Sequence, residues 1–203
     1  MVRSLSAAML AACVAPSALG SLVTNGDFEV PVITAPFRVV PAGDSFITGW
    51  TVEAPNPNQG VDLVNAPANG NLDYAHTGNQ SIDMAGTPGR GSIYQDIATP
   101  NLNTYYEISF WVSCNGGGNV DGLSVYFDGQ IVSIVDAPSL GTWTQYTFQT
   151  KTTGVVTRLK FVGNIDGNSG GTLLDTVSVV EVPAPGAVAL LGIGGVVCFR
   201  RRR

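Results

Sequence analysis

Two carboxylates near opposite ends of the chain could bind a metal ion. Glu29 follows the turn at residues 25–27, Asn-Gly-Asp, which offers the oxygen ligands that calcium takes in sets of roughly six to eight. Asp175 lies in an alternating segment, and three apolar residues share its face: Leu173, Val177 and Val179. If that face is the core, the carboxylate needs a cation or hydrogen-bond donors, because an unpaired buried charge is costly. Two interpretations stay open: a calcium site, or carboxylates that accept backbone N–H bonds or pair with basic side chains.

Four aromatic side chains are candidates for carbohydrate binding, because sugar rings stack on exposed aromatic rings. In the segment YYEISFWVSC, Tyr105 and Trp111 alternate with apolar residues and are expected on the face away from the core. Tyr126 and Trp143 are further candidates at exposed positions. The alternative is that these rings belong to the core or lie beneath loops, since large aromatic residues are mostly buried.

The sequence gives little support for a catalytic site. His76 is the single histidine, so a Ser-His-Asp set would have to use it, and it lies in a polar segment without a nucleophile motif. A zinc site needs several His or Cys ligands, and the body of the chain has only His76 and Cys114. Fifteen acidic residues always allow some pair for glycoside hydrolysis, so their number is not evidence. We interpret the following as turn or surface residues: Asp62, Asp73, Asp83 and Asp96.

The charge distribution excludes nucleic acid as a partner. Of ten basic residues, five lie at the ends, at Arg3 and at 200–203. The other five lie between residues 21 and 181 with all fifteen acids, so that segment has a net charge of about −10. Among them, Arg158 and Lys160 are candidates to pair with Glu29 or Asp175. Nucleic-acid affinity requires Lys and Arg that neutralise phosphates, whereas this segment suits cations.

Short strands separated by turn residues fill the body of the chain. Apolar and polar residues alternate in segments that Gly, Asn, Pro or Asp interrupt about every 8–12 residues, which is typical of a β-sandwich. Asp128-Gly129 between two apolar runs predicts a two-residue hairpin turn. A body of roughly 160 residues is long enough for one core, and Cys114 alone allows no intrachain disulfide there.

Residues 1–20 have the pattern of a secretory signal peptide: one early base, an apolar run and then small residues. Ala18-Leu19-Gly20 forms a small-x-small cleavage site before Ser21. The segment ending at Cys13 also resembles a lipobox, which would place a lipid on that cysteine, and an uncleaved anchor is a third possibility. We expect cleavage after Gly20 and export of the protein.

Residues 182–203 predict a temporary stop in the membrane. The apolar stretch from Gly186 to Phe199 would form about 21 Å of helix, short of the ~30 Å hydrocarbon core. The run Arg200, Arg201, Arg202 and Arg203 would hold the end on the cytoplasmic side. Pro183 and Pro185 keep the preceding chain extended, so that an enzyme could bind it as a peptide strand. The alternative is a plain C-terminal membrane helix.

This end, with Val182-Pro183-Ala184-Pro185, an apolar segment and a terminal arginine run, resembles the PEP-CTERM sorting signal. The resemblance implies transient membrane association, delivery by the secretion machinery, and cleavage by an exosortase near the Pro-x-Pro motif. It also implies a location at the bacterial cell surface or in the extracellular matrix. Ala184 departs from the usual Glu at the middle position.

The body resembles the DUF642 and choice-of-anchor C families, which have a galactose-binding-like fold. The opening motif comprises Leu22, Asn25, Gly26, Phe28 and Glu29, and the closing strand comprises Leu174, Asp175, Val177, Ser178 and Val179. The resemblance implies an all-β jelly-roll β-sandwich at residues 21–181, flanked by an N-terminal signal helix and a C-terminal hydrophobic helix. Related jelly-roll modules hold a structural calcium, which implies Glu29 and Asp175 as ligands, with backbone carbonyls and Asp27.

The sequence therefore predicts an exported, non-enzymatic protein that binds extracellular polysaccharide. Aromatic stacking and hydrogen bonds from Asn, Asp and Gln side chains would hold the glycan. Two alternatives stay open: a structural or adhesive matrix protein without specific glycan binding, and a glycan-active hydrolase with two carboxylates across a cleft.

Overall fold

The computed structural model describes residues 20–116, 122–164 and 171–183. Most of the two predicted terminal signals therefore lies outside the described residues, including Ala18, Pro185 and the arginines at 200–203. In the part of the chain that the structure describes, no helix combines the length and apolarity needed to cross a membrane.

The described residues form two antiparallel sheets. The strands are β1 (Phe37–Pro41), β2 (Thr51–Glu53), β3 (Gly60–Asn65), β4 (Gln80–Asp83), β5 (Ser92–Ala98), β6 (Tyr105–Cys114), β7 (Leu123–Phe127), β8 (Gln130–Val135), β9 (Thr144–Lys151), β10 (Val156–Gly163) and β11 (Thr172–Glu181). One sheet has six strands in the order β1-β3-β4-β11-β6-β9, and the other has five in the order β2-β5-β10-β7-β8. A short helix, α1 (Ala66–Asn69), and a 3₁₀ turn (Leu72–Tyr74) follow β3. The predicted β-sandwich is confirmed.

Apolar and polar side chains alternate along the strands, so that one face of each sheet is apolar. These two apolar faces pack against each other and form one core. The largest fully buried side chains include Trp50, Tyr106, Phe28, Phe110, Phe127 and Phe161. Phe110 on β6 meets Phe161 on β10 edge-on, with ring centroids 5.1 Å apart, which joins the two sheets. Burial of each such side chain stabilises the fold by about 1.5–3 kcal/mol. The packed core therefore holds the two sheets in place, and side chains on their outer faces have fixed positions.

The local sequence patterns predict the faces of β6 and the turn between β7 and β8 correctly. On β6, Phe110 lies in the core, while Tyr105 and Trp111 lie on the outer face. Asp128 and Gly129 form the turn between β7 and β8 with φ of 54° and 73°, as a primed hairpin turn requires. β1 and β2 could not be predicted from the sequence, because they are short edge strands without sustained alternation.

The N-terminal segment lies beside the last strand. The Leu22 N–H donates to the Val179 carbonyl at 2.8 Å, and the Val177 N–H donates to the Gly26 carbonyl at 2.8 Å. These bonds lie along a part of β11 that β4 does not reach, since β4 pairs only with Leu173 and Leu174. The segment therefore pairs with β11 beyond the end of β4 and extends the six-stranded sheet at that point.

The expected side-chain pattern of β11 is wrong. The register of β11 on β6 shifts between Asp175 and Ser178, which is a β-bulge. A bulge adds one residue and reverses the alternation beyond it. Leu173 and Asp175 consequently lie on the outer face, whereas Val177 and Val179 face the core. Asp175 is buried for a different reason, because a loop covers it from outside.

Candidate functional site

Residues 71–79, the covering loop, lie over the outer face of the six-stranded sheet. The Ser81 hydroxyl on β4 donates to the Tyr74 carbonyl. The Trp143 Nε1–H donates to the Asp73 carbonyl at 3.1 Å. These bonds join the loop to β4 and to the residue that precedes β9, so the loop spans several strands.

Asp175 holds the middle of the covering loop and has no exposed surface. Its Oδ2 accepts the N–H groups of His76 and Thr77 at 2.8 and 3.0 Å, and its Oδ1 accepts the Thr176 N–H at 2.5 Å. The pKa of Asp175 is raised to about 7, chiefly by burial and to a smaller extent by the charge of Glu29. The three N–H donors act in the opposite direction and lower it. The hydrogen bonds therefore offset only part of the cost of burying this carboxylate.

Glu29 holds the far end of the covering loop. Its Oε1 accepts the N–H groups of Asn79 and Gln80, both at 2.7 Å. Gly78 has a φ of +62°, and a Cβ at this position would lie 2.4 Å from Glu29 Oε1. The fully buried Gln80 also donates through Nε2 to the Phe28 carbonyl at 2.7 Å. The opening motif and the covering loop thus form one hydrogen-bonded unit.

The predicted calcium ligands Glu29 and Asp175 both contact the covering loop, but their oxygens face hydrogen-bond donors. Both oxygens of Asp175 and one of Glu29 accept backbone N–H bonds, which corresponds to the second interpretation of the sequence. Arg158 and Lys160 instead bond to acids on the other sheet. Among the described residues, no group of three His, Cys, Asp or Glu side chains converges. Calcium binding stays a prediction, for which Glu29 Oε2 and the exposed Asp27 offer oxygens.

His76, Trp111 and Trp143 form an aromatic cluster on the same sheet face. The imidazole stacks on the Trp111 ring with centroids 3.9 Å apart and planes 16° apart, and lies 5.7 Å from the Trp143 ring. His76 Nδ1 lies 2.9 Å from Thr176 Oγ1. Burial lowers the pKa of His76 from its ordinary value. Sequence reasoning places His76 in a polar loop and misses this role, since only the fold brings β6 beneath it.

The four predicted sugar-binding aromatics do not share one place. Trp111 and Trp143 come together, and His76 covers one face of Trp111. Tyr105 lies at the other end of β6, is 49% exposed, and has Lys151 Nζ 4.7 Å above its ring. Tyr126 lies on the outer face of the five-stranded sheet. Any ligand that contacts Trp143 is therefore remote from Tyr126.

A pocket of about 260 Å³, the acidic pocket, opens beside the covering loop on the six-stranded sheet. Its lining includes Phe37, Asp62, Tyr74, Asp83, Thr87 and Asn115. Asp62 and Asp83 lie opposite each other on β3 and β4 and are only 6% and 2% exposed. Their interpretation as turn or surface residues is wrong, because loops bury the outer face at this end of both strands. Asp73 and Asp96 are exposed, as expected.

Both carboxylates of the acidic pocket are fixed by hydrogen bonds. Asp62 accepts the Thr87 N–H at 3.2 Å and the Thr87 hydroxyl at 3.0 Å. Asp83 accepts the Ala85 N–H at 2.9 Å and the side-chain amide of Asn115. Burial raises both pKa values, that of Asp83 to about 6, and the charge of Asp62 contributes to the latter. Because each carboxylate oxygen has a second lone pair, the pocket offers acceptors, and none of the described residues that line it is Lys or Arg.

Two stacked antiparallel sheets with paired first and last segments define this chain as a jelly-roll β-sandwich. The chain belongs to the DUF642 family, described as proteins of unknown function, and the match covers residues 21–180. Membership of DUF642, which the opening and closing motifs predict, is confirmed, whereas the resemblance to choice-of-anchor C stays a prediction.

Solved structures support the same fold. TmCBM61, solved in complex with β-1,4-galactotriose, is 12% identical with a TM-score of 0.52, covering 80% of this chain and 99% of its own. The K2 cleaved adhesin domain of Lys-gingipain is 13% identical with a TM-score of 0.52, covering 78% and 97%. The K1 cleaved adhesin domain of Lys-gingipain from Porphyromonas gingivalis W83 is 14% identical with a TM-score of 0.52, covering 72% and 99%. Among curated proteins, none matches this sequence.

Proposed function

We propose that this DUF642 protein is a non-catalytic carbohydrate-binding module whose binding face is the outer face of the six-stranded sheet. The observation that carries the proposal is the presence of aromatic rings and hydrogen-bonding carboxylates on one sheet face. The acidic pocket lies on one side of the covering loop, and the aromatic cluster with Trp143 lies on the other. A glycan presents both apolar ring faces and hydroxyl donors, and such a face complements both.

The acidic pocket is the place where one sugar unit fits. At about 260 Å³ it is smaller than the roughly 300–1,000 Å³ of sites for larger ligands. Hydroxyl groups of the sugar donate to Asp62 and Asp83, while Phe37, which is 48% exposed, and Tyr74 supply apolar walls. The next units of a polymer extend over the covering loop towards Trp143.

The arrangement of the carboxylates favours binding over hydrolysis. Glycosidases place two carboxyl groups on either side of the scissile bond, about 5–9.5 Å apart. Asp62 and Asp83 project from neighbouring strands of one sheet, so both approach a ligand from the same side. Each is also held by neighbouring donors that fix its orientation. This geometry supports a static hydrogen-bonding surface.

Glycan-array binding followed by calorimetric titration tests the proposal. We expect Asp83→Asn to weaken binding about 10-fold or more, because a hydrogen bond to a charged group contributes about 1.5–3 kcal/mol. Trp143→Ala should weaken it as well. Asp136→Asn changes an exposed acid elsewhere and serves as the matched control. A folded protein that binds no neutral glycan, or an Asp83→Asn variant with unchanged affinity, would overturn the proposal in favour of a structural or adhesive role.

We also propose that the protein is exported and then released at the cell surface or into the extracellular matrix by exosortase cleavage. The last backbone bond of the sheet, from the Val182 N–H to the Tyr105 carbonyl at 2.8 Å, is followed directly by the exposed Pro183. A protease could therefore reach the chain just beyond the folded domain. Mass spectrometry of the mature protein should find Ser21 at its start and no arginine run at its end. A product that still ends in Arg203 would contradict this sorting route.

Calcium binding beside Glu29 is the remaining part of the proposal. Glu29 Oε2, Asp27 and backbone carbonyls would hold the ion, which would tie the first segment to the last strand. We expect millimolar calcium to raise the melting temperature and EDTA to reverse the effect, with Glu29→Gln insensitive to both. Equal melting temperatures in calcium and in EDTA would contradict calcium binding.

A further inference from the structure

A second pocket of about 460 Å³, the basic pocket, lies on the outer face of the five-stranded sheet. Its lining comprises Tyr126, Gly129, Arg158, Lys160 and Val162. The pocket extends from β10 across β7 to the turn of the β7–β8 hairpin. Its volume lies within the roughly 300–1,000 Å³ that ligand sites span.

Acids on the far side of β10 fix both cations of the basic pocket. Arg158 Nε and Nη2 donate to the two oxygens of Asp96 at 2.7 and 2.8 Å, and the guanidinium lies 3.7 Å from the Tyr94 ring centroid. Lys160 Nζ donates to Glu53 Oε2 at 2.5 Å. Asp96 and Glu53 belong to β5 and β2, on the opposite side of β10 from the hairpin. The cations are therefore held from one side and face the pocket with the other.

The basic pocket is rich in hydrogen-bond donors. A guanidinium has five N–H groups and an ammonium has three. Asp96 takes two N–H groups of Arg158, and Glu53 takes one of Lys160, which leaves donors on both side chains for a ligand. The acids that balance these charges are not part of the lining. Guanidinium and ammonium groups bind carboxylates through short, charge-assisted hydrogen bonds.

We propose that the basic pocket binds a sugar unit that carries a carboxylate, that is, a uronate. The carboxylate accepts hydrogen bonds from Arg158 and Lys160, and the sugar ring packs on the Tyr126 ring, with Gly129 leaving room at the hairpin turn. The prediction of Tyr126 as a sugar-binding residue then belongs to this site. The acidic pocket cannot substitute for it, because Asp62 and Asp83 would repel a uronate. The proposal does not depend on neutral glycans binding the other face.

Calorimetric titration of the full protein with uronate trisaccharides tests this site. Galacturonate, glucuronate and mannuronate trisaccharides are each compared with their methyl esters at about 0.15 M salt, where screening over ~8 Å limits repulsion by the remaining acids. At least one acid form should bind, and its methyl ester should bind about 10-fold more weakly or not at all. Lys160→Met keeps the apolar stem and removes the charge, and it should weaken binding about 10-fold or more. Tyr126→Ala should weaken it, whereas Tyr126→Phe should not.

Lys151→Met is the matched control, because Lys151 also lies beside a tyrosine but on the other sheet. The affinity of the Lys151→Met variant for the uronate should equal that of the unmodified protein. Melting temperatures should verify that every variant folds. The proposal is overturned if none of the three uronates binds, if acid and ester bind equally, or if Lys160→Met binds as well as Lys151→Met. Asp83→Asn should leave uronate binding unchanged, so failure of the neutral-glycan site and failure of this site are distinguishable.

Discussion

At the scale of single residues, Gly26 lies so close to β11 that a methyl group does not fit. A Cβ on Gly26 would lie 2.0 Å from the Val177 carbonyl oxygen, and the Gly26 carbonyl accepts the Val177 N–H at 2.8 Å. We expect Gly26→Ala to lower the free energy of unfolding by about 2–3 kcal/mol, because overpacking forces the backbone to move. Chemical denaturation measures this effect. Gly70→Ala is the control: nothing lies within 4 Å, and only its φ of +78° adds strain, about 1 kcal/mol. Equal losses in the two variants would contradict the explanation.

Asp83 gives the domain a dependence on pH that opposes the usual behaviour of carboxylates. Its folded-state pKa of about 6 lies above the ordinary 3.8, so the folded state binds the proton more tightly than the unfolded state. The resulting stabilisation is complete below about pH 4 and is lost as the pH rises through 6. At about 1.4 kcal/mol per pKa unit, the difference amounts to about 3 kcal/mol.

We therefore expect Asp83→Asn to reduce the slope of the stability profile between pH 4 and pH 7, as urea unfolding at several pH values would measure. Asp62 and Asp175 also have raised pKa values, so part of the slope should persist in this variant. Asp136→Asn, at an exposed position, should leave the profile unchanged. An Asp83→Asn profile as steep as that of the parent protein would refute the assignment.

At the scale of elements, the covering loop depends on two carboxylates that lie far away in the chain. Glu29→Ala would leave the Asn79 and Gln80 N–H groups without their acceptor, and an unsatisfied donor at the buried Gln80 costs about 1–3 kcal/mol. We expect hydrogen exchange at residues 71–80 to accelerate and the tryptophan fluorescence of the aromatic cluster to change. Glu29→Gln retains an acceptor and should have a smaller effect. Glu107→Ala removes a surface acid and should have none, and unchanged exchange in Glu29→Ala would contradict the fastening role.

Elements that depend on local alternation could be predicted from the sequence, and those that depend on long-range contacts could not. The two faces of β6 and the Asp128-Gly129 turn follow from neighbouring residues alone. The side-chain pattern of β11 could not be derived in this way, because the bulge at Asp175 reverses it. The bulge forms in the pairing of β11 with β6, and the order of apolar and polar residues along β11 does not indicate it.

The candidate sites follow the same distinction. Trp111 could be placed on the outer face from its own strand, whereas its contact with His76 requires the covering loop to fold back over β6. Asp62 and Asp83 each lie in a strand that local patterns identify, yet their pairing and burial depend on the order of β3 and β4 in the sheet. Residue type and local spacing therefore identify candidates, and only the fold assembles them into sites.

At the scale of the whole molecule, the acidic and basic pockets open on the outer faces of different sheets, with the core between them. One domain could then hold a neutral glycan on one side and a uronate polymer on the other, and so bridge two chains in a matrix. Beads that carry a neutral glycan ligand should capture soluble polyuronate only when the protein is present. Asp83→Asn and Lys160→Met should each strongly reduce capture while leaving binding at the other pocket intact, because bridging requires both sites on one molecule. Capture that is undiminished in either variant, or that excess uronate trisaccharide fails to block, would rule out bridging by one domain.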